Sequence, residues 1–258
     1  VVGGEAVRRH SPVLRFLPEG PLEPLIERFW TISWDLSGQQ PQTGETLPHP
    51  SVYLVVEPGR SGLAGVNTHR FLRTLEGRGR VFGVKFHPGC FRPFWHASVR
   101  TLTDQVLPLE TAFGPPGAAF EAAVLRCGDE VEAAVSLMEA FLLARLPPPD
   151  AKAQQARAIV AQILEDRTLT QAEAVAREVG MSLRSMQRLF QEYVGVSPKW
   201  VIQRYRLHDA MAHLEANRPV DLPALALSLG FFDQAHFNRA FKRFLGRTPT
   251  GYARPGKG

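Results

Sequence analysis

The sequence predicts an α+β chain: a β-rich N-terminal small barrel or sandwich followed by helices, then an all-α C-terminal region with two helix-turn-helix units joined by a long helix. Three observations carry this. Short apolar runs closed by Gly and Pro turns occupy about residues 25–87, and alanine- and leucine-rich stretches at helical spacing follow at about 115–146. The C-terminal part is written twice: Arg188, Phe190, Gly195, Pro198 and Val201 recur 51 positions later as Arg239, Phe241, Gly246, Pro249 and Tyr252. Upstream, Ala176 and Gly180 are matched by Ala226 and Gly230 at an offset of 50, so the second copy carries one extra residue in its turn.

Residues 1–24, rich in Gly, Pro and charge, read as an extended lead-in. Leu25 to Leu36, with Phe29, Trp30, Ile32 and Trp34, favours a strand. Gly38 to Pro50 is expected as a loop, Val52 to Glu57 as a buried strand, and Pro58-Gly59 as a turn. Short segments at Leu63–Val66 and Arg70–Leu75 precede a strand over Val81–Phe86. After Pro108, Ala118–Arg126 and Asp129–Arg145 are expected helices, the second with Val131, Val135, Met138, Phe141 and Leu142 on one face. Pro147-Pro148-Pro149 breaks it and marks the joint between expected domains 1–149 and 150–258.

Asp150 caps a helix holding Ala156, Ile159, Val160 and Ile163. The first unit, 171–192, starts with a capping box over Thr170 to Glu173. Gly180 stops its first helix, because glycine takes a left-handed backbone without penalty. Ser182 caps the next, whose buried stripe is Met186, Leu189 and Phe190 and whose outer face shows Arg184, Ser185, Gln187, Arg188 and Gln191. In the second unit, 222–245, Asp221 and Asp233 are the caps, Phe237, Phe241 and Phe244 lie inside, and Gln234, Ala235, Asn238, Arg239, Lys242 and Arg243 face outward. Arg pairs with guanine edges and Gln or Asn with adenine, so two such faces suit the reading of base pairs. Ser197-Pro198 opens a connecting helix that runs to Asn217; from Pro198 to Ala216 it spans roughly 28 Å at 1.5 Å per residue. A rod of that length can set two reading helices close to one turn of DNA apart, about 34 Å.

The stretch from about Gln154 to Tyr252 resembles the DNA-binding domain of AraC/XylS transcriptional regulators. The resemblance is carried by Gly180-Met181-Ser182, Gln187-Arg188-Leu189-Phe190, Gly195-Val196-Ser197-Pro198, Arg206-Leu207-His208-Asp209-Ala210, Leu229-Gly230-Phe231, Asp233 to Arg239, Phe241-Lys242-Arg243 and Gly246-Arg247-Thr248-Pro249. It implies a seven-helix domain that places each unit's second helix in the major groove, with Arg184, Gln187 and Arg188 and then Gln234, Asn238 and Arg239 as base-reading candidates. Val201 stands where relatives often place an aromatic residue, as this chain does at Tyr252. Residues 1–149 resemble the small sensor-like domains of some AraC-type proteins in Val84-Lys85-Phe86, Pro88-Gly89, Phe91-Arg92 and Phe113-Gly114, with Cys90 where a glycine is usual. That implies an effector or dimerisation-type domain. The implied partners are double-stranded DNA, RNA polymerase, a small-molecule effector and a second copy of the chain, with no membrane and no cofactor.

Charge agrees with this division. Residues 151–258 hold 16 Lys and Arg against 9 Asp and Glu, while residues 1–150 hold 14 against 16. A basic half attracts a polyanion, through contacts that weaken with salt. Cys90 and Cys127 are too few for a disulfide framework and suit a reducing cytosol. The start, Val1-Val2-Gly3-Gly4, lacks the pattern of a signal peptide, and no stretch approaches 18 apolar residues, so a soluble cytoplasmic protein is expected.

His87 and Cys90 are three apart in a turn, a weak metal-ligand pattern that His49, His69 and His96 can join; no bound metal is expected. The N-terminal aromatics, among them Trp30, Trp34, Phe82, Phe86, Phe91 and Trp95, suit an effector pocket for a small apolar or aromatic molecule, and core packing explains them equally well. The stripe on Asp129–Arg145 suits either pairing with a second chain or burial within one. The alternative function is a DNA-modifying or DNA-repair protein with an AraC-like module. An alkyltransferase of that kind needs a Pro-Cys-His nucleophile context and a cysteine-rich zinc site, and neither is present in the sequence; no Ser/His/Asp, Walker or dinucleotide signature occurs either, so no enzyme is expected.

Overall fold

A computed structural model describes residues 13–46, 48–216 and 220–253. Residues 1–12 of the expected lead-in, Asn217 at the expected end of the connecting helix, and Lys257 lie outside the described residues. The chain divides into two compact units: one comprises the chain to Arg157 together with Leu189–Val196, the other Ala158–Arg188 and the chain from Ser197 onward.

The first unit is built on a six-stranded antiparallel sheet in the order β1 (Val13–Phe16), β2 (Ile26–Leu36), β7 (Gly77–Phe86), β4 (Tyr53–Val56), β5 (Gly62–Ala64), β8 (Val106–Leu107). A separate ribbon pairs β3 (Gln42–Thr46) with β6 (Phe71–Leu75). The ladder is open, ending at β1 and β8. β2 and β7 are its spine, paired from Ile26↔Phe86 to Leu36↔Gly77 with a bulge between Ile26 and Arg28. Two tryptophans of β2 face glycines of β7, Trp30 opposite Gly83 and Trp34 opposite Gly79. A Cβ at either glycine would stand 2.2–2.3 Å from the indole, so these positions admit only glycine without repacking. Past the bulge, strand alternation sends Phe29 to one face and Trp34 and Leu36 to the other.

The main core lies on the Phe29 face and joins Leu22, Leu54, Val84, Phe86 and Phe91 to the helices α3 (Pro115–Arg126) and α4 (Val131–Leu143). Phe120 stacks on Phe141 at 4.1 Å, and Phe113 of α2 (Leu109–Phe113) meets the same ring edge-on at 5.3 Å. α1 (Arg92–Trp95) follows the His87–Cys90 turn. The α4 stripe expected from the sequence, Val131, Val135, Met138, Phe141 and Leu142, is buried in this core. Burial within one chain is thus the arrangement observed.

Two local expectations are corrected. The loop from Gly38 to Pro50 contains β3, and the lead-in contains β1 and a short 3-10 turn at Gly20–Leu22. Neither strand alternates clearly in sequence. β3 forms because β6, some thirty residues on, supplies its ladder and Thr74 meets Thr43 at 2.9 Å between hydroxyls; β1 is an edge strand laid against β2.

The second unit holds the rest of α5 (Ala151–Glu165), then α6 (Ala172–Glu178), α7 (Leu183–Leu189, whose last residue belongs to the first unit), the connecting helix α8 (Pro198–Glu215), α9 (Leu222–Ser228), α10 (Gln234–Leu245) and α11 (Pro249–Ala253). Among the described residues no helix is long and apolar enough to cross a membrane.

Candidate nucleic-acid interface

The two halves of the second unit repeat the same glycine turn and the same cap on the helix that follows it. Gly180 and Gly230 sit at φ +65° and +71°, and in each the next amide bonds back to an alanine carbonyl, Met181 to Ala176 and Phe231 to Ala226, both at 2.9 Å. This is the glycine closure that satisfies orphan carbonyls at a helix end. The helices that follow are capped alike: Ser182 Oγ accepts from the Ser185 amide at 3.1 Å, and Asp233 Oδ1 accepts from the His236 amide at 2.6 Å. Ser197 caps α8 through the Trp200 amide at 3.2 Å, and Asp221 caps α9 through the Ala224 amide at 3.1 Å.

The capping box at Thr170 to Glu173 is not formed. α6 begins one residue later, with Gln171 at the cap and no side-chain cap bond. Thr170 instead turns its methyl to Gly230, where a Cβ would lie 2.5 Å from it. A tertiary contact has displaced a local one, and Gly230 is held glycine by space as well as by its φ.

Of the sequence candidates, Arg184, Gln187 and Arg188 in the first half and Ala235, Arg239, Lys242 and Arg243 in the second are exposed. Ser185, Gln234 and Asn238 are half-buried. The Ser185 hydroxyl accepts from Ser182 at 2.8 Å, and the Asn238 Oδ1 is turned from solvent with no hydrogen-bond partner among the described residues. Beneath these faces Met186, Phe190, Phe237 and Phe241 are fully buried. Phe244, expected inside, is half-buried, with the Arg204 guanidinium 3.5 Å over its ring.

Sequence reasoning named Arg206 and His236 only among the residues that carry the resemblance and gave neither a role. Arg206, on α8, donates Nε–H to the Leu229 carbonyl and lies over the Phe231 ring at 4.0 Å, so it holds the turn of the second half from beneath. Burial lowers its pKa to about 10, which leaves it cationic at neutral pH. His236 is exposed on the first turn of α10, where the first half has Ser185; the repeat offset is the signal that marks it.

The tail of the first half's second helix has different company. After Leu189 the helix widens into a π turn, Phe190–Val194, and this stretch belongs to the first unit. There Arg92 pairs with Glu192 at 3.2 Å and stacks over Tyr193 at 5.5 Å; the Ser98 hydroxyl donates to the Gln191 carbonyl at 3.1 Å, and Thr103 to the Gly195 carbonyl at 2.8 Å. Asp150 caps α5 through the Lys152 and Ala153 amides and also accepts from the Tyr193 hydroxyl at 3.1 Å. Burial first, and Asp150 second, push that phenol up to about 12.

The N-terminal aromatic candidates are mostly buried. Phe29, Phe82, Phe86 and Phe91 belong to the main core and Trp34 to a smaller buried cluster on the other face, and Trp34 and Phe82 also border an open cavity of about 700 Å³ together with Pro58, Leu125 and the Arg78 and Arg80 side chains. Both arginines pair there with Asp129, at 3.2 and 3.0 Å. His87 and Cys90 share a turn in which the Cys90 amide donates to the His87 carbonyl at 3.0 Å. Among the described residues no group of three His, Cys, Asp or Glu side chains is placed to hold a metal. Burial lowers the His87 pKa to about 4 and raises the Cys90 thiol to about 12. At pH 8 Cys90 therefore stays a buried thiol, and a thiolate-selective reagent is expected to label Cys127 quickly and Cys90 only on unfolding. Fast labelling of both in the native protein would contradict this.

Residues 175–255 match a family model described as a helix-turn-helix domain, and residues 14–108 one described as a domain of unknown function, DUF6597. Over 76 residues the chain is 38% identical to the HTH-type transcriptional regulator GlxA of Rhizobium meliloti, covering 30% of this chain and 23% of that protein. It is 35% identical over 77 residues to the virulence regulon transcriptional activator VirF of Yersinia enterocolitica, covering 29% and 27%. It is 28% identical over 127 residues to the arabinose operon regulatory protein of Escherichia coli, covering 46% and 43%. The matches span less than half the length of these relatives. The helical region is thus similar to the helix-turn-helix domains of transcriptional regulators.

Proposed function

We propose that this protein is a sequence-specific transcriptional regulator that binds double-stranded DNA through two adjacent major-groove segments, is modulated at its N-terminal region, and catalyses no reaction. The observation that carries this is the duplication of a capped, glycine-closed unit, each copy presenting an exposed arginine at the matched position, Arg188 and Arg239. A single copy is ordinary helical packing; two equal copies joined by an unbroken helix suit two equal uses. The connecting helix has 18 residues, or about 27 Å of rise, which fits successive major-groove segments about 34 Å apart.

Support for modulation is covalent. The chain passes between the second unit and the first at Arg188–Leu189 and again at Val196–Ser197, so the helix bearing Arg188 ends in a segment anchored by Arg92, Ser98 and Thr103. The open cavity beside Trp34 and Phe82, whose lining includes Arg78, Arg80 and Asp129, is one candidate in the first unit for a small effector. RNA polymerase and a second copy of the chain complete the proposed partners. A DNA-modifying activity is the weaker reading, since the sequence offers neither a Pro-Cys-His nucleophile context nor a cysteine-rich zinc site.

Selection from a random DNA pool, then footprinting, is expected to yield two boxes about 10 bp apart on one face of the duplex. Inserting half a helical turn between them is expected to abolish binding by the full chain. Undiminished binding to the altered spacing would mean that only one half reads DNA.

A further inference from the structure

Phe232 is the most exposed large hydrophobic side chain among the described residues, at 87% of its surface. The repeat explains how it came to stand there. Up to the glycine turn the two halves match at an offset of 50, with Met181 and Phe231 making the same backbone bond; from the caps Ser182 and Asp233 onward the offset is 51. Phe232 is therefore the extra residue of the second half, inserted between the turn and the cap.

An apolar residue just before a helix cap ordinarily packs on the fourth residue of the helix, which in α10 is Phe237. That place is already taken. Phe231 is buried, lies 5.2 Å from the Phe237 ring, and is covered by His236 at 5.4 Å and Arg206 at 4.0 Å. The chain bends at Phe232 and the cap residue Asp233, and Phe232 stands exposed where Phe231 is buried. With Phe231 inside, Phe232 points out beside the first turn of α10, which carries Gln234, Ala235 and His236. Among the described residues, Phe231 fills the place beside Phe237 and Phe232 is left in solvent.

The N-terminal turn of a helix-turn-helix second helix is the part that meets base edges. A phenyl ring makes no hydrogen bond, and the apolar group that major-groove edges offer is the thymine 5-methyl. We propose that Phe232 contacts a thymine methyl at the edge of the segment read by α10 and so selects thymine at that position. This rests on the DNA-reading function proposed above, and it adds a residue absent from the polar face.

The test uses the full-length protein and the duplex recovered by selection, with each thymine of the α10 box replaced in turn by deoxyuridine, which removes only the methyl. At one thymine, wild type is expected to bind the deoxyuridine duplex about fourfold more weakly, the worth of one buried methyl group, and Phe232→Ala is expected to bind the two duplexes equally. Its melting temperature should match wild type, since the side chain is 87% exposed. If wild type binds the selected duplex specifically but no thymine shows a methyl dependence that Phe232→Ala removes, the inference fails and the DNA-reading function stands. Equal loss by Phe232→Ala on selected and random DNA, or unchanged DNA binding with lowered transcription by purified RNA polymerase, would likewise overturn it. Should wild type show no preference for any sequence, the proposed function fails and this inference with it.

Discussion

Phe237→Ala is expected to destabilise the second unit by about 3–5 kcal/mol, the usual cost of deleting a fully buried phenyl ring. Phe237 has no exposed surface and touches the rings of Phe231 and Phe241, at 5.2 and 5.6 Å. Its loss leaves a cavity beneath α10 that neighbouring helices cannot close without moving their own ends. Since native domains hold only about 5–15 kcal/mol of stability, this removes a large fraction. Trp200 is the one tryptophan of the second unit, while Trp30, Trp34 and Trp95 belong to the first. A urea titration of a variant that keeps only Trp200 as a reporter should show its midpoint falling sharply with Phe237→Ala. An unchanged midpoint would mean that α10 is not held by this cluster.

Arg188→Ala and Arg239→Ala are each expected to cost about 1–3 kcal/mol of discrimination between the selected sequence and variants at one base pair, the worth of a bidentate arginine contact to guanine. Both side chains are exposed, at matched positions of the two halves, and make no ion pair among those found in the second unit. Folding should therefore be unaffected, and the double variant should lose the sum, because the two contacts address separate segments. Arg247→Ala provides the contrast, as does a change at Lys257 outside the described residues: a phosphate contact weakens binding to all sequences alike and reduces its salt dependence. Competition titrations against random DNA at two salt concentrations separate these cases. If Arg188→Ala lowered specific and random binding equally, it would be a phosphate contact and the base-reading role would be lost.

Sequence alone was sufficient where the physics is local. A cap is a side chain bonding an amide three residues on, and a glycine turn is one residue's freedom of φ; Ser182, Ser197, Asp221, Asp233, Gly180 and Gly230 were all legible for that reason. The apolar stripes of α4, α7 and α10 follow from helical spacing, and repetition linked the two polar faces without any knowledge of their partners. Tertiary structure decided what depends on distant residues. β3 exists because β6 pairs with it, and Thr170 left its capping box because Gly230 offered a place for its methyl. The stretch Leu189–Val196 belongs to the first unit, where Arg92 pairs with Glu192 and the Ser98 and Thr103 hydroxyls bond the Gln191 and Gly195 carbonyls. Phe231 and Phe232 are adjacent and chemically identical, and only the packed Phe237 ring determines that one is core and the other is left facing solvent.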